Sequence, residues 1–375
     1  MASNLPNLLF YDTPERNADL RYLGRFCAPD AFAALRLKGK TVALLNALEY
    51  ARGQKESAFD AVWSLESLLP KAPAKNAWEN LACAVRAVAA KAKVRRLTVG
   101  AEFPAAFLRA LEAVGLSLDV AQGSLFPERV VKTPAEARAI RAANAAVSRA
   151  FAEVERILAA SAIKGGYIVF EGRRLTSEFL RTRINMTCLA QGYVARDTIA
   201  AGGDIACDPH GVGTGPLKAG ELIVVDIFPR GPSGYYGDMT RTYLKGRPRE
   251  AQTALVETVR AAQRLAMRTI RAGVLGKDVH KAVVDFFNAR GFATTCDKHG
   301  YSGFFHGTGH GVGLDIHEEP RVSVKGGVLP EGSVVTVEPG LYYRGIGGCR
   351  IEDVVQVTKT GVRMLSKHPY RWQFD

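Results

Sequence analysis

Several features that would assign this chain to a common class are missing from it. No stretch approaches the ~18 consecutive apolar residues of a membrane-spanning helix, so a membrane role is not expected. The opening MASNLPNLLFYDTPER has neither the cationic start nor the small-residue cleavage site of a secretory signal, and the expected location is the cytoplasm. Six cysteines stand singly at 27, 83, 188, 207, 296 and 349. With no C-x-x-C pair they suggest neither a zinc ribbon nor a disulfide framework, but reduced thiols. Acidic residues are in the minority, 37 against 50 basic, for a net charge of +13. The excess is spread along the chain, however, and its densest cluster, Lys91, Lys93, Arg95 and Arg96, has no interleaved aromatics. That pattern fits a solvated basic face, and no nucleic-acid partner is expected. There is no H-E-x-x-H zinc helix and no G-x-G-x-x-G phosphate cradle.

What is present is a globular composition, 47% hydrophobic and 23% charged, over a length that suggests two domains. Residues 1–128 alternate buried-strand patterns (TVALLNA, RLTVG) with helical ones (PAAFLRALEAVG, closed by Gly115), which indicates an α/β domain. A second domain, residues 129–375, opens on Thr133-Pro134-Ala135-Glu136, a capping box with proline at the first helical position. Ile140, Ala143, Val147, Phe151, Val154 and Leu158 then recur at helical spacing, giving one long amphipathic helix. Further helices are predicted over 249–273 and 277–291, among the β-rich segments 222–228, 234–244, 333–343 and 349–358. Proline and glycine in PRGPSG make the first two a hairpin.

Each β segment carries an acid in apolar surroundings: Asp226 in LIVVD, Asp238 twelve residues later, Glu338 in VVTVE and Glu352 in RIEDVV. Carboxylates at the centres of buried strands need a strong common counter-charge, because isolated ones are costly or become neutral. Two divalent cations would balance four carboxylates. The stretch HGTGHGVGLDIHEEP (306–320) supplies three of the seven histidines on a glycine-rich backbone. An oxygen-rich donor set with one imidazole suits manganese, cobalt, zinc or iron. Strand alternation puts Arg350 on one face with Glu352, and Asp238 with Thr240, so that Arg350 is expected to brace Glu352 and Thr240 to bond within the same shell.

In the settings VVDIFP, GYYGDMTRT, HGTGHGVGLDIHE, TVEPGLYY and GGCRIEDVV, this set resembles the aminopeptidase P, prolidase and methionine aminopeptidase family of dinuclear metallopeptidases. The resemblance implies an α/β creatinase/prolidase-like N-terminal domain followed by a pita-bread catalytic domain. It implies that Asp226 chelates one ion, His310 and Glu338 hold the other, and Asp238 and Glu352 bridge them, manganese being the first choice of metal. A hydroxide between the ions would attack the peptide carbonyl, with Glu338 passing the proton onward. His210 and His317 would hydrogen-bond the substrate, His306 would support the metal loop on the substrate side, and Arg321, in H-E-E-P-R, would meet the substrate's C-terminal carboxylate. His280, His299 and His368 are expected to be ordinary surface or packing residues. The implied substrate is a proline-containing di- or oligopeptide, cleaved at Xaa-Pro, and the implied assembly is a homodimer. A metal-free binding module, or a non-peptide hydrolase or lyase on the same fold, is the alternative, although metal-free relatives lose ligands that this chain keeps.

Overall fold

The computed structural model describes residues 6–72, 74–298 and 300–375. The chain divides into two compact units, Met1–Pro127 and Glu128–Asp375.

The first unit is built on a six-stranded sheet in the order β4-β3-β2-β1-β5-β6. Its strands are β1 (Leu8–Asp12), β2 (Phe32–Leu37), β3 (Lys40–Leu45), β4 (Ala61–Ser64), β5 (Arg96–Gly100) and β6 (Ser117–Ala121). β1, β2 and β3 pair antiparallel, while β3–β4, β1–β5 and β5–β6 are parallel. The sheet is covered on both faces, which is why its central strands are apolar at nearly every position. Leu9, Ala33 and Leu35 face α3 (Ala77–Lys91) and α4 (Ala105–Ala113). Leu8, Phe10 and Ala34 face the opposite way, toward α1 (Ala18–Gly24).

The second unit opens with α5 (Pro134–Ala160), whose capping box is formed as Thr133 accepts from the Glu136 N–H and Glu136 accepts from the Thr133 N–H. All six positions of its apolar repeat are buried. With α6 (Ser177–Leu189), α5 packs on a four-stranded sheet of β10 (Ile199–Gly202), β11 (Leu222–Ile227), β12 (Met239–Lys245) and β22 (Gln373–Phe374). A second helix pair, α7 (Glu250–Thr269) and α8 (Gly276–Ala289), packs on a five-stranded sheet. Its order is β16 (Glu318–Val322), β15 (Gly309–Gly311), β17 (Val334–Val337), β20 (Asp353–Val357) and β21 (Val362–Met364). The ribbon of β18 (Gly340–Tyr343) and β19 (Gly347–Arg350) lies between these sheets, with the Glu352 N–H donating to the Thr240 carbonyl at 3.1 Å.

Three departures from the sequence reading bear on the site. Of the four acids expected at strand centres, only Asp226 lies inside a strand. Asp238 immediately precedes β12, Glu338 follows the end of β17, and Glu352 lies in the break between β19 and β20. The continuous segments 333–343 and 349–358 are each split between two sheets, one at Glu338-Pro339, where proline has no N–H for a ladder, the other at Ile351-Glu352. Helix α7 stops at Thr269 because the N–H groups of Ala272 and Gly273 bond the carbonyls of Thr358 and Leu329.

Candidate active site

The broken strands converge their acids on one point. One carboxylate oxygen each from Asp238 and Glu352 and a ring nitrogen of His310 lie within 4.8 Å of one another. Glu338 Oε1 is 3.3 Å and Asp238 Oδ2 3.7 Å from His310 Nε2. The breaks are themselves supported. The Gln263 amide, from the buried face of α7, donates to the carbonyls of Val337 and Ile351 and to the Asp353 carboxylate, at 3.2, 3.3 and 3.1 Å. Val337 and Ile351 are the residues just before Glu338 and Glu352, so one side chain satisfies the backbone at both breaks. Asn144 of α5 accepts from the Asp238 N–H at 3.0 Å. Both amides interrupt the apolar stripes of their helices, a sequence signal that the pattern reading passed over.

The arrangement fits divalent cations on its own chemistry. His310 Nδ1 donates to the Gly311 carbonyl at 3.1 Å, which leaves a lone pair on Nε2 facing the acids. Burial, with His317 adding to it, holds this imidazole down at about 3, so it is neutral. The acids move the other way. Burial pushes Glu338 up to about 7, while Asp238 and Glu352 are raised by burial and then by the neighbouring carboxylates. Asp226 Oδ1 is buried with no hydrogen-bond partner. Crowded acids, a neutral imidazole nitrogen and a buried carboxylate oxygen with no hydrogen-bond partner make a donor set suited to divalent cations.

Arg350 does not brace Glu352 as alternation suggested. The break after β19 takes Glu352 off the strand, and Arg350 instead grips Asp226 Oδ2 at 2.8 Å. Its other nitrogens reach Tyr342 Oη at 2.8 Å and Thr240 Oγ1 at 3.3 Å. Thr240 donates to Glu352 Oε2 at 2.8 Å, within the same shell. Tyr342 in turn meets His306 Nε2 at 2.9 Å, while His306 Nδ1 donates to the Gly307 carbonyl.

The glycines of the histidine stretch serve close approach rather than unusual backbone angles, since none of the four has positive φ. A Cβ on Gly309 would meet the Thr336 carbonyl oxygen, one on Gly311 the Glu319 carbonyl oxygen, and one on Gly313 the Glu318 carboxylate.

This cluster lies in the wall of a cavity of about 1220 Å³, also lined by His210, His280, His306, His317 and Arg321. The profile of metallopeptidase family M24 matches residues 138–359, more than half of the sequence. The chain belongs to metallopeptidase family M24. It is 33% identical over 243 residues to the Xaa-Pro dipeptidase of Pyrococcus furiosus, and the match covers 64% of each chain. Against the probable dipeptidase PepE of Mycobacterium tuberculosis it is 34% identical over 263 residues, 69% of this chain and 64% of that one. The match thus spans just under two-thirds of the length of these relatives. Among solved structures, dipeptidase PepE from Mycobacterium ulcerans superposes with a TM-score of 0.77 at 28% identity, over 99% of this chain and 94% of that one. The X-Pro aminopeptidase of Thermotoga maritima, at 23% identity, gives a TM-score of 0.81 over 99% and 97%. The M24 chain has the mixed α/β fold of these proteins, which includes a pita-bread domain.

Five of the seven histidines of this M24 protein therefore line one cavity. His317 packs edge-on against His310 with ring centroids 4.4 Å apart, and burial lowers its pKa. His210 is exposed, its N–H held by Asp208 Oδ1 at 3.1 Å. Arg321 is half-buried, with Nε 3.8 Å from Glu319 Oε1. His280, expected to be an ordinary surface or packing residue, does pack against Phe304, with ring centroids 5.4 Å apart. It is buried and lines the cavity, with Nδ1 3.0 Å from Thr308 Oγ1. Its position one residue after Val279, on the buried face of α8, is the signal that could have found it. His368 is a packing residue between Ser148 and Glu155, and His299 lies outside the described residues. Cys207 and Cys349 are buried, their thiols pushed up to about 11 and about 12 by burial.

Proposed function

We propose that this protein hydrolyses Xaa-Pro peptide bonds using two divalent cations, manganese being the first choice, held by Asp226, Asp238, His310, Glu338 and Glu352. The observation that carries the reading is the meeting of three acids with raised pKa, a neutral imidazole lone pair and the unpartnered Asp226 Oδ1 in the wall of a peptide-sized cavity. Identity above 30% to relatives named Xaa-Pro dipeptidase supports the substrate class. Asp226 would serve one cation, His310 and Glu338 the other, and Asp238 and Glu352 would be shared by both. When bound, the pair supplies the positive charge that makes water nucleophilic at neutral pH and stabilises the oxyanion of the tetrahedral intermediate.

The chain's own residues do the rest. His317 and His210 hydrogen-bond the scissile carbonyl region and orient it. The His317 ring, edge-on to His310, can turn one ring nitrogen toward the substrate carbonyl as a hydrogen-bond donor. Glu338, whose carboxylate faces the His310 imidazole at 3.3 Å, would take a proton from the attacking water and return it toward the leaving proline nitrogen. Arg321 offers its guanidinium fork to the substrate's terminal carboxylate, and its contact with Glu319 is too loose and exposed to hold it. Arg350 and Tyr342 keep Asp226 and His306 in place. We further propose that residues 1–128 form a creatinase/prolidase-like domain and that the enzyme works as a cytoplasmic homodimer.

The test is a panel of Xaa-Pro dipeptides, Xaa-Pro tripeptides and proline-free controls, run with metal-loaded protein alongside elemental analysis. Two ions per chain with cleavage confined to Xaa-Pro substrates is the expected result. Metal binding without peptide cleavage would favour the non-peptide alternative. A chain that binds no metal would favour the binding-module alternative.

A further inference from the structure

The described roles leave unused a group of buried charges behind the cavity wall. Arg129 and Lys132, at the start of the second unit, are 7% and 5% exposed. Both bond the Glu318 carboxylate: Arg129 Nη2 donates to Oε2 at 2.6 Å and Lys132 Nζ donates to Oε1. Arg129 also reaches Asp315 Oδ2 at 2.8 Å, and Lys132 donates to the Arg129 carbonyl at 2.7 Å. The cations are themselves anchored, because the Lys132 N–H bonds the Gly332 carbonyl at 3.0 Å and Val131 is bridged to Ser333, next to the first residue of β17. The missing Cβ of Gly313 leaves the space that the Glu318 carboxylate fills.

A buried ion pair is weak evidence of net stability, because desolvation cancels much of the attraction. Two buried cations closed on one largely enclosed carboxylate need another reason. Glu318 directly follows His317, and Gly311, its strand partner, directly follows His310. Successive side chains on an extended backbone point to opposite sides. A carboxylate fixed into the scaffold at 318 therefore sets the direction in which residue 317 enters the cavity. Without that anchor, the residues from Gly313 to His317 form an irregular loop with no ladder of their own.

We infer that Arg129 and Lys132 are positioning residues for His317, gripping Glu318 from the scaffold side and so holding the His317 ring against His310. The inference rests on the substrate-facing role given to His317 above. It is tested with Lys132→Met, Lys132→Arg, Glu318→Gln, His317→Ala and the double variant Lys132→Met/His317→Ala, all full-length and metal-loaded. Lys132→Met and Glu318→Gln are each expected to lower kcat on an Xaa-Pro dipeptide roughly 10- to 100-fold, the cost of misplacing a group by about 1 Å. KM and metal content should stay unchanged, and Lys132→Arg should recover most of the loss. Within the His317→Ala background, Lys132→Met should cost less than about twofold more, because the group it positions is gone. Losses that multiply in the double variant, or a Lys132→Met enzyme with wild-type kcat, would overturn the inference. A readout independent of turnover is the imidazole NMR signal of His317 in protein loaded with diamagnetic zinc, which should shift in Lys132→Met while that of His306 does not. An unchanged His317 signal overturns the positioning role even if the protein proves to act on another substrate. A fully active His317→Ala enzyme with a shifted His317 signal in Lys132→Met would refute the role given to His317 while leaving the anchoring intact.

Discussion

Metal binding at this site should release protons, and the structure sets how many. Burial holds Glu338 at about 7 and the His310 imidazole at about 3 in the absence of cations. At pH 6 Glu338 is therefore roughly nine-tenths protonated, whereas His310 is already neutral and has nothing to give up. Because a cation binds the carboxylate form, Glu338 alone weakens apparent affinity about elevenfold at pH 6 relative to pH 9, or ~1.4 kcal/mol. Asp238, raised by burial and then by the charges of Asp226 and Glu338, and Glu352, raised by burial and then by Asp238, add to this in the same direction. Affinity should rise with pH, and about one proton or more should leave per chain at pH 6, against nearly none from Glu338 at pH 9. The assay is isothermal titration calorimetry of manganese or cobalt into metal-free protein at pH 6, repeated in buffers of different ionisation enthalpy. The slope of observed heat against buffer enthalpy counts the protons. A slope of zero at pH 6 would show that the acids are already ionised and that the cluster is not the crowded, charge-deficient site described above.

Other perturbations separate the roles within the cavity. Asp238→Ala and Glu352→Ala should each disturb both metal positions, read as fewer than two ions per chain by elemental analysis, whereas a wild type loaded with one ion at most would sink the dinuclear reading. His317→Ala, and to a smaller extent His210→Ala, should keep its metals while losing roughly two to four orders of magnitude in kcat. Metal loss in His317→Ala would mark it as a ligand instead. Arg321→Ala should raise KM for Xaa-Pro dipeptides about tenfold or more, ~1.5–3 kcal/mol for a charged hydrogen bond, and alter longer Xaa-Pro peptides much less. Equal effects on both lengths would remove Arg321 from the specificity argument.

Much of the architecture was legible in the residues because it depends on local periodicity. The repeat from Ile140 to Leu158 and the Thr133–Glu136 capping box define α5 without reference to any other element. The acids stood out in the same way, since a carboxylate after LIVV or VVTV is anomalous whatever the fold. What periodicity does not carry is where a strand stops. The segments 333–343 and 349–358 each read as one strand, yet each divides between sheets at the residue that holds the acid, and the buried Gln263 amide from another helix satisfies both breaks. That divergence is why Arg350, on the face alternation shared with Glu352, grips Asp226 of a different sheet. His280 shows the same limit from the other side, because helical spacing marks it as buried but not that the buried face meets a cavity. The residues alone determined the helices, the resemblance and the acids that demand a counter-charge, all of which follow from interactions a few positions apart. The tertiary structure decided which carboxylates share a centre, which cation restrains each, and which imidazoles meet the cavity, because those contacts join residues separated by 70 to more than 180 positions and rest on packing that no local pattern encodes.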